Sequence, residues 1–183
     1  MMILNSNSID FINFSNCIIL TEDKKEIKIS TLWKNQTIVF IFLRHFSCIS
    51  CRAHADQVWK NKEIYEKNGA KVVFVGNGQV EHIKIFKEDL KIESAIVCTD
   101  PELHTFKIIG FKRGIVSTIG PKALLNRLEL SKAGYQQIAK HKDDGDRWQL
   151  GGVLVVNSLG KILFKYLSEV FGDHPEAELV KTE

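Results

Sequence analysis

Apolar runs separated by polar turns divide the chain into alternating strands and helices. Residues Ile18–Leu20 and Glu26–Ile29 read as two short strands around the polar turn Thr21-Glu22-Asp23-Lys24-Lys25. The segment Ile38–Phe46 is too continuously apolar for a half-exposed sheet, so a central, parallel strand is expected there. Helical spacing of Ala55, Val58, Trp59 and Tyr65 predicts a helix over Arg52–Lys67, ended by Asn68-Gly69. A second buried strand, Val72–Val75, stops at the tight turn Gly76-Asn77-Gly78. Val80, Ile83, Phe86 and Leu90 mark the next helix, and Ala95–Cys98 the third apolar strand. Thr99-Asp100-Pro101 predicts the cap and first turn of a short helix that Gly110 closes.

This β-α-β-α-β-α order implies a parallel sheet with helices on both faces. An insertion of about 40 residues with helical spacing (Leu124, Leu128, Tyr135, Ile138) follows. The chain then returns as a hairpin, Val153–Val156 and Ile162–Tyr166 around Asn157-Ser158-Leu159-Gly160, with a last helix expected near Pro175. At 183 residues the expectation is one α/β domain, 1–183, with 111–150 as the insertion.

Composition narrows the class. No apolar run approaches the ~18 residues of a membrane span. The start, Met1-Met2-Ile3-Leu4-Asn5-Ser6, lacks the pattern of a secretory signal, so a cytoplasmic protein is expected. Four cysteines, two in one motif, are too few for a secreted disulfide framework. Between Phe111 and Lys142 seven Lys/Arg face the single acid Glu129, a net +6 that leaves −3 for the rest of the chain. Such a run is a solvated face, or a positive lid favouring a thiolate or an anionic substrate. Aromatic residues do not interleave with these charges, which argues against nucleic acid.

The chemistry concentrates at Cys48-Ile49-Ser50-Cys51, between an apolar strand and a helix. Helix N-terminal N–H groups and the positive end of the macrodipole favour a thiolate, the reactive form of cysteine. Cys48, nearer the loop, is the expected attacking thiol, and Cys51, in the first turn, the resolving one. Arg44, His45, Arg52 and His54 lie close enough in sequence to add positive charge. Half a zinc site is the rival reading. It needs four ligands, no second C-x-x-C or H-x₃₋₅-H is present, and only His54 is spaced for a third. Cys98, at a strand end, and Cys17 read as small buried hydrophobes. Gly76-Asn77-Gly78 lacks the third glycine of a dinucleotide fingerprint, and Asp173-His174 lacks a serine elbow.

Several stretches carry a family resemblance: Phe42–Arg52; Gly76-Asn77-Gly78 with His82 and Phe86; and Thr99-Asp100-Pro101. Gly120–Leu125, Trp148–Val153 and Gly172-Asp173-His174-Pro175 extend it. Together they resemble the AhpC/TSA-type peroxiredoxin-like proteins of the thioredoxin superfamily, nearest the peroxiredoxin-like 2 type with its C-x-x-C. The resemblance implies a thioredoxin-like, peroxiredoxin-type fold, a central mixed sheet covered by helices, and a redox-active Cys48/Cys51 pair. Peroxiredoxins proper use P-x-x-x-T-x-x-C. With Cys51 in the peroxidatic place, Cys48 holds the threonine position and Arg44 the proline position; with Cys48 there, those positions hold His45 and Ile41. Gly151 stands where an arginine precedes the returning strand, and Gly152 where thioredoxins set a cis-proline. Both departures point away from fast peroxide reduction and from thioredoxin-style docking.

The expectation is therefore a thiol-dependent disulfide reductase or antioxidant with at most weak peroxidase activity. Cys48 and Cys51 are its catalytic residues, and Arg44, Arg52, Arg127 and Arg147 the candidate stabilisers of thiolate or anion. A peroxide or protein disulfide is the substrate, a thioredoxin- or glutathione-type thiol the reductant. No cofactor, metal, nucleic acid or membrane is called for, and a homodimer is the assembly to test. The alternative is a non-catalytic thioredoxin-like module that binds a partner through the basic insertion, or zinc through the C-x-x-C.

Overall fold

The structure, a computed structural model, describes residues 9–135 and 144–182. In chain order it begins with α1 (Phe11–Asn16), β1 (Ile18–Thr21), β2 (Glu26–Lys28) and a 3₁₀ turn at Ile29–Trp33. Then come β3 (Thr37–Phe42), α2 (Ile49–Lys60), α3 (Glu63–Glu66), β4 (Ala70–Gly76), α4 (Glu81–Leu90) and β5 (Ile96–Thr99). The rest is α5 (His104–Ile109), α6 (Val116–Ile119), α7 (Pro121–Lys132), β6 (Gly152–Val156), β7 (Ile162–Leu167) and a 3₁₀ turn at Ala177–Leu179.

Seven strands form one mixed sheet in the order β2-β1-β5-β4-β3-β6-β7. β3 is central, as its apolar run predicts, but parallel only to β4; on its other side it pairs antiparallel with β6. The reason is the hairpin return, which brings β6 back against β3 in the opposite sense. Side chains of β3 alternate between two cores. Val39 and Ile41 pack with Ala55, Val58, Ile83 and Phe86 on one face, and Ile38, Phe40 and Phe42 with Phe14, Trp33, Phe106 and Ile109 on the other. Burial on both faces is why the strand reads as one unbroken apolar run.

Boundaries depart from the sequence expectations where pairing stops. β3 ends at Phe42, the last residue opposite both Val75 and Gly152. Leu43 still donates to the Val75 carbonyl at 2.8 Å, but Arg44 to Ser47 have no strand to join and form a loop. The helix begins at Ile49 rather than Arg52 and pauses after Lys60, where the Asn61 N–H closes on the Gln57 carbonyl. The short helix starts at His104, not at Pro101. Asp100 caps it from five residues away, its Oδ2 accepting from Thr105 N at 2.7 Å and Thr105 Oγ1 at 2.6 Å. Near Pro175 only the 3₁₀ turn forms.

The helix α1, capped by Asp10, has too short a pattern to predict. In the insertion the helix is present as α7, yet Leu124 and Leu128 are exposed and Ala123 is the buried residue. Ile138 lies outside the described residues.

Candidate active site

Cys48 is the N-cap residue of α2, with extended backbone, and Cys51 lies in the first turn. Both thiols are free and both residues are buried, at 1% and 3% exposure. The loop from β3 to α2 folds over its own helix start. The Arg44 N–H donates to Cys51 Sγ at 3.1 Å, and the Cys48 N–H donates to the His45 carbonyl at 3.2 Å.

Burial alone pushes the Cys48 thiol up. A hydrogen bond from the Cys51 thiol, the charges of His45 and Arg44 and a backbone N–H of Cys51 outweigh it, holding Cys48 well below the ordinary thiol value. Cys51 is driven well above that value by burial, by donating to Cys48 and by the negative charge it faces. The two sulfurs are thus driven apart, Cys48 toward the thiolate and Cys51 toward the thiol. Cys98, pushed by burial to about 12, and Cys17, to about 11, stay protonated thiols.

The four candidate arginines separate. Arg44 is buried, is one of the two charges that lower Cys48, and lies over the Phe171 ring at 5.1 Å. Its Nη2 donates to the Arg147 carbonyl, while Nε and Nη1 are buried without hydrogen-bond partners among the described residues. Arg52 turns away to pair with Asp89 at 3.4 Å. Arg127 lies over Phe171 at 5.2 Å, so that ring carries two guanidinium groups. Arg147 is exposed and contributes its carbonyl to Arg44.

His54 adds no charge. Burial and the neighbouring His174 lower its pKa far below the usual histidine value, and the two rings stack with centroids 3.9 Å apart. His174, lowered by burial to about 4, lies 2.9 Å from Ser50 Oγ. This contact ties the C-terminal segment to the residue beside Cys51, a link that the sequence separation of 124 residues hid. Asp173 is not its acid partner: it accepts from Tyr166 OH at 2.5 Å and from Glu169 N at 2.7 Å. Among the described residues no three His, Cys, Asp or Glu side chains gather as a metal site, so His54 does not complete a zinc set with the dithiol.

Gly151 and Gly152 are dictated by backbone contact. A Cβ on Gly151 would lie 1.9 Å from the Phe42 carbonyl oxygen, and one on Gly152 2.1 Å from that of Tyr166. An arginine or proline has no room in this packing of β3, β6 and β7.

A mixed sheet with a cysteine pair at the start of the helix after its central strand defines a thiol-dependent redox protein of the thioredoxin-like, peroxiredoxin type. The chain belongs to the AhpC/TSA antioxidant enzyme family, whose family model matches residues 57–170. That match begins beyond Cys51, so the roles of the two cysteines rest on geometry. The chain is 33% identical over 164 residues to the thioredoxin-like protein AAED1, chloroplastic, of Arabidopsis thaliana, covering 85% of this chain and 65% of that protein. It is 31% identical over 160 residues to prostamide/prostaglandin F synthase of Danio rerio, covering 83% and 76%. The fold is similar to that of the bacterioferritin comigratory protein of Xanthomonas campestris. That likeness has a TM-score of 0.61 at 9% identity, over 88% of this chain and 85% of that one.

Proposed function

We propose that the protein reduces small peroxides or disulfides through a Cys48–Cys51 dithiol/disulfide cycle. The observation that carries this reading is a pair of free, buried cysteines at the start of α2, with Cys48 held well below and Cys51 well above the ordinary thiol value. In the first step Cys48 Sγ attacks a peroxide oxygen. The O–O bond breaks, the electron pair leaves with the departing oxygen as alcohol or water after protonation, and Cys48 becomes a sulfenic acid. Cys51 Sγ then attacks Cys48, water leaves, and a Cys48–Cys51 disulfide forms. An external dithiol of thioredoxin type, or two molecules of glutathione, returns two electrons and two protons. With a disulfide substrate the first product is a mixed disulfide on Cys48, which Cys51 resolves.

Burial of both sulfurs favours a small peroxide over a folded protein disulfide, whose bulk cannot reach Cys48 in this conformation. The Nε and Nη1 of Arg44, buried and without a hydrogen-bond partner among the described residues, are free to donate to a substrate oxygen. The Xanthomonas campestris protein of similar fold has alkyl peroxide reduction activity, so an alkyl peroxide is a suitable probe for this chain. A pair that must be re-reduced each turn suits a reducing compartment, and we place it in the cytosol.

Turnover of hydrogen peroxide, cumene hydroperoxide and a small aromatic disulfide, with thioredoxin or glutathione as reductant, tests the cycle. Cys48→Ser is expected to abolish turnover. Cys51→Ser is expected to leave a single round that ends in a sulfenic acid trapped by dimedone. Turnover no faster than free thiol for all three substrates would overturn the reading, as would full activity in Cys48→Ser.

A further inference from the structure

The two cations that lower Cys48 both rest on one loop about a hundred residues away in sequence. Arg44 donates to the carbonyl of Arg147, and His45 Nδ1 lies 3.5 Å from Asp144 Oδ2. The Phe46 N–H, between these cations and Cys48, donates to the Asp144 carbonyl at 3.3 Å. The loop is itself fixed by the turn after β4, where Asn77 Oδ1 accepts from the Asp146 N–H at 2.8 Å. Gly145 makes the approach possible: with φ +123°, a Cβ there would fall 2.8 Å from His45 Cβ and 2.2 Å from Asn77 Oδ1. Asp144 and His45 are both buried. Neither His45 Nδ1 nor Asp144 Oδ2 has a hydrogen-bond partner among the described residues. The ion pair is what offsets their burial.

We propose that Asp144 is the positioning residue of this site. Its carboxylate fixes the buried His45 ring in the loop that leads into Cys48, forming a Cys48–His45–Asp144 relay built across the β3–α2 loop, the N-cap of α2 and the loop before β6. The proposal rests on the thiolate reading above and adds the residue that sustains it. Asp144 does not touch the reacting sulfur. It acts through His45, as a buried carboxylate orients the imidazole of a catalytic cysteine or serine.

Other charges around the relay are accounted for. Cys48 faces Cys51, His45 and Arg44. Asp144 faces His45, His82 from α4 and the Arg147 side chain. The small cavity beside it is also lined by the Arg52–Asp89 pair, two groups already matched to each other. Asp144 itself is held below the ordinary carboxylate value: burial pushes it up, and His45, His82 and Arg147 more than compensate. It is therefore an anion at neutral pH.

The pH profile of Cys48 alkylation by iodoacetamide, read by mass of the modified peptide on the full chain, isolates this role from turnover. In wild type the midpoint is expected well below 8.5. In Asp144→Asn it is expected to move up by about one unit, so that alkylation at a pH below the wild-type midpoint slows about tenfold. Asp144→Glu is expected to recover most of the rate. Arg147→Ala keeps the carbonyl that Arg44 uses and is expected to stay within about twofold of wild type. Circular dichroism melts confirm that each variant is folded. If Asp144→Asn does not fold, His45→Gln removes the imidazole directly and is expected to give the same upward shift. A wild-type midpoint near 8.5 overturns the thiolate reading and this one with it. A low wild-type midpoint that Asp144→Asn, or His45→Gln in its place, leaves unmoved overturns this proposal alone.

Discussion

Among the four cysteines, chemistry is decided by the company each sulfur keeps rather than by burial, which all four share. Cys48 has a thiol donor, two cations and a helix start; Cys98 has only desolvation, and Cys17 desolvation with the nearby Asp100. The same loss of water thus raises Cys17 and Cys98 yet is outweighed at Cys48 by fixed charge and hydrogen bonds. Native protein at pH 7 under a limited excess of iodoacetamide is expected to take up one label, at Cys48. Cys17 and Cys98 are expected to lag by about two orders of magnitude or more, in line with their thiolate fractions. Peptide mapping checks this. Equal labelling of Cys98 would show that burial, not charge, governs reactivity here.

The elements bring these residues together through backbone packing that tolerates little change. Gly151 is the tightest point, since the Phe42 carbonyl occupies the space a Cβ would need. Gly151→Ala is expected to cost at least about 3 kcal/mol, the upper end for overpacking, because the opposing atom is backbone and cannot rotate away. Chemical denaturation of wild type and variant measures it. A loss under about 1 kcal/mol would mean that β3 and β6 separate easily. The buried strands were readable from the sequence because both faces of each are covered. The cluster Arg44, His45, Cys48, Cys51 was readable because it is local. Element ends were not, since β3 stops where its neighbours stop and α2 starts where the loop tucks Ile49 and Ser50 inside. The contacts of Asp144, Phe171 and His174 with this site were equally hidden, for they depend on how β6 and β7 return the chain. A local signal for Asp144 exists: Asp143-Asp144-Gly145-Asp146 is an acidic run in the sequence directly after a strongly basic stretch.

For the molecule as a whole, the charge arrangement at one helix start links folding stability to redox state. In the reduced protein the folded pKa of Cys48 is depressed below its unfolded value. Its contribution to stability is full above the unfolded pKa of about 8.5 and is lost as pH falls through the folded pKa. Cys51 has the opposite sign: its raised folded pKa contributes fully below about 8.5 and loses that contribution as pH rises beyond it. In the oxidised protein neither sulfur titrates, and Cys17 and Cys98 are common to both forms, so they cancel in the difference. The stability of reduced minus oxidised protein is therefore expected to rise with pH from the folded pKa of Cys48 up to about 8.5. The slope approaches about 1.4 kcal/mol per pH unit where Cys48 is a thiolate only when folded, and falls again above that pH as Cys51 takes over. Parallel denaturation series with and without dithiothreitol, from pH 5 to 10, check it. A difference that stays flat across that range would mean the Cys48 thiolate gains nothing from the fold, and the loop carrying Asp144 and Arg147 would have no energetic hold on the chemistry.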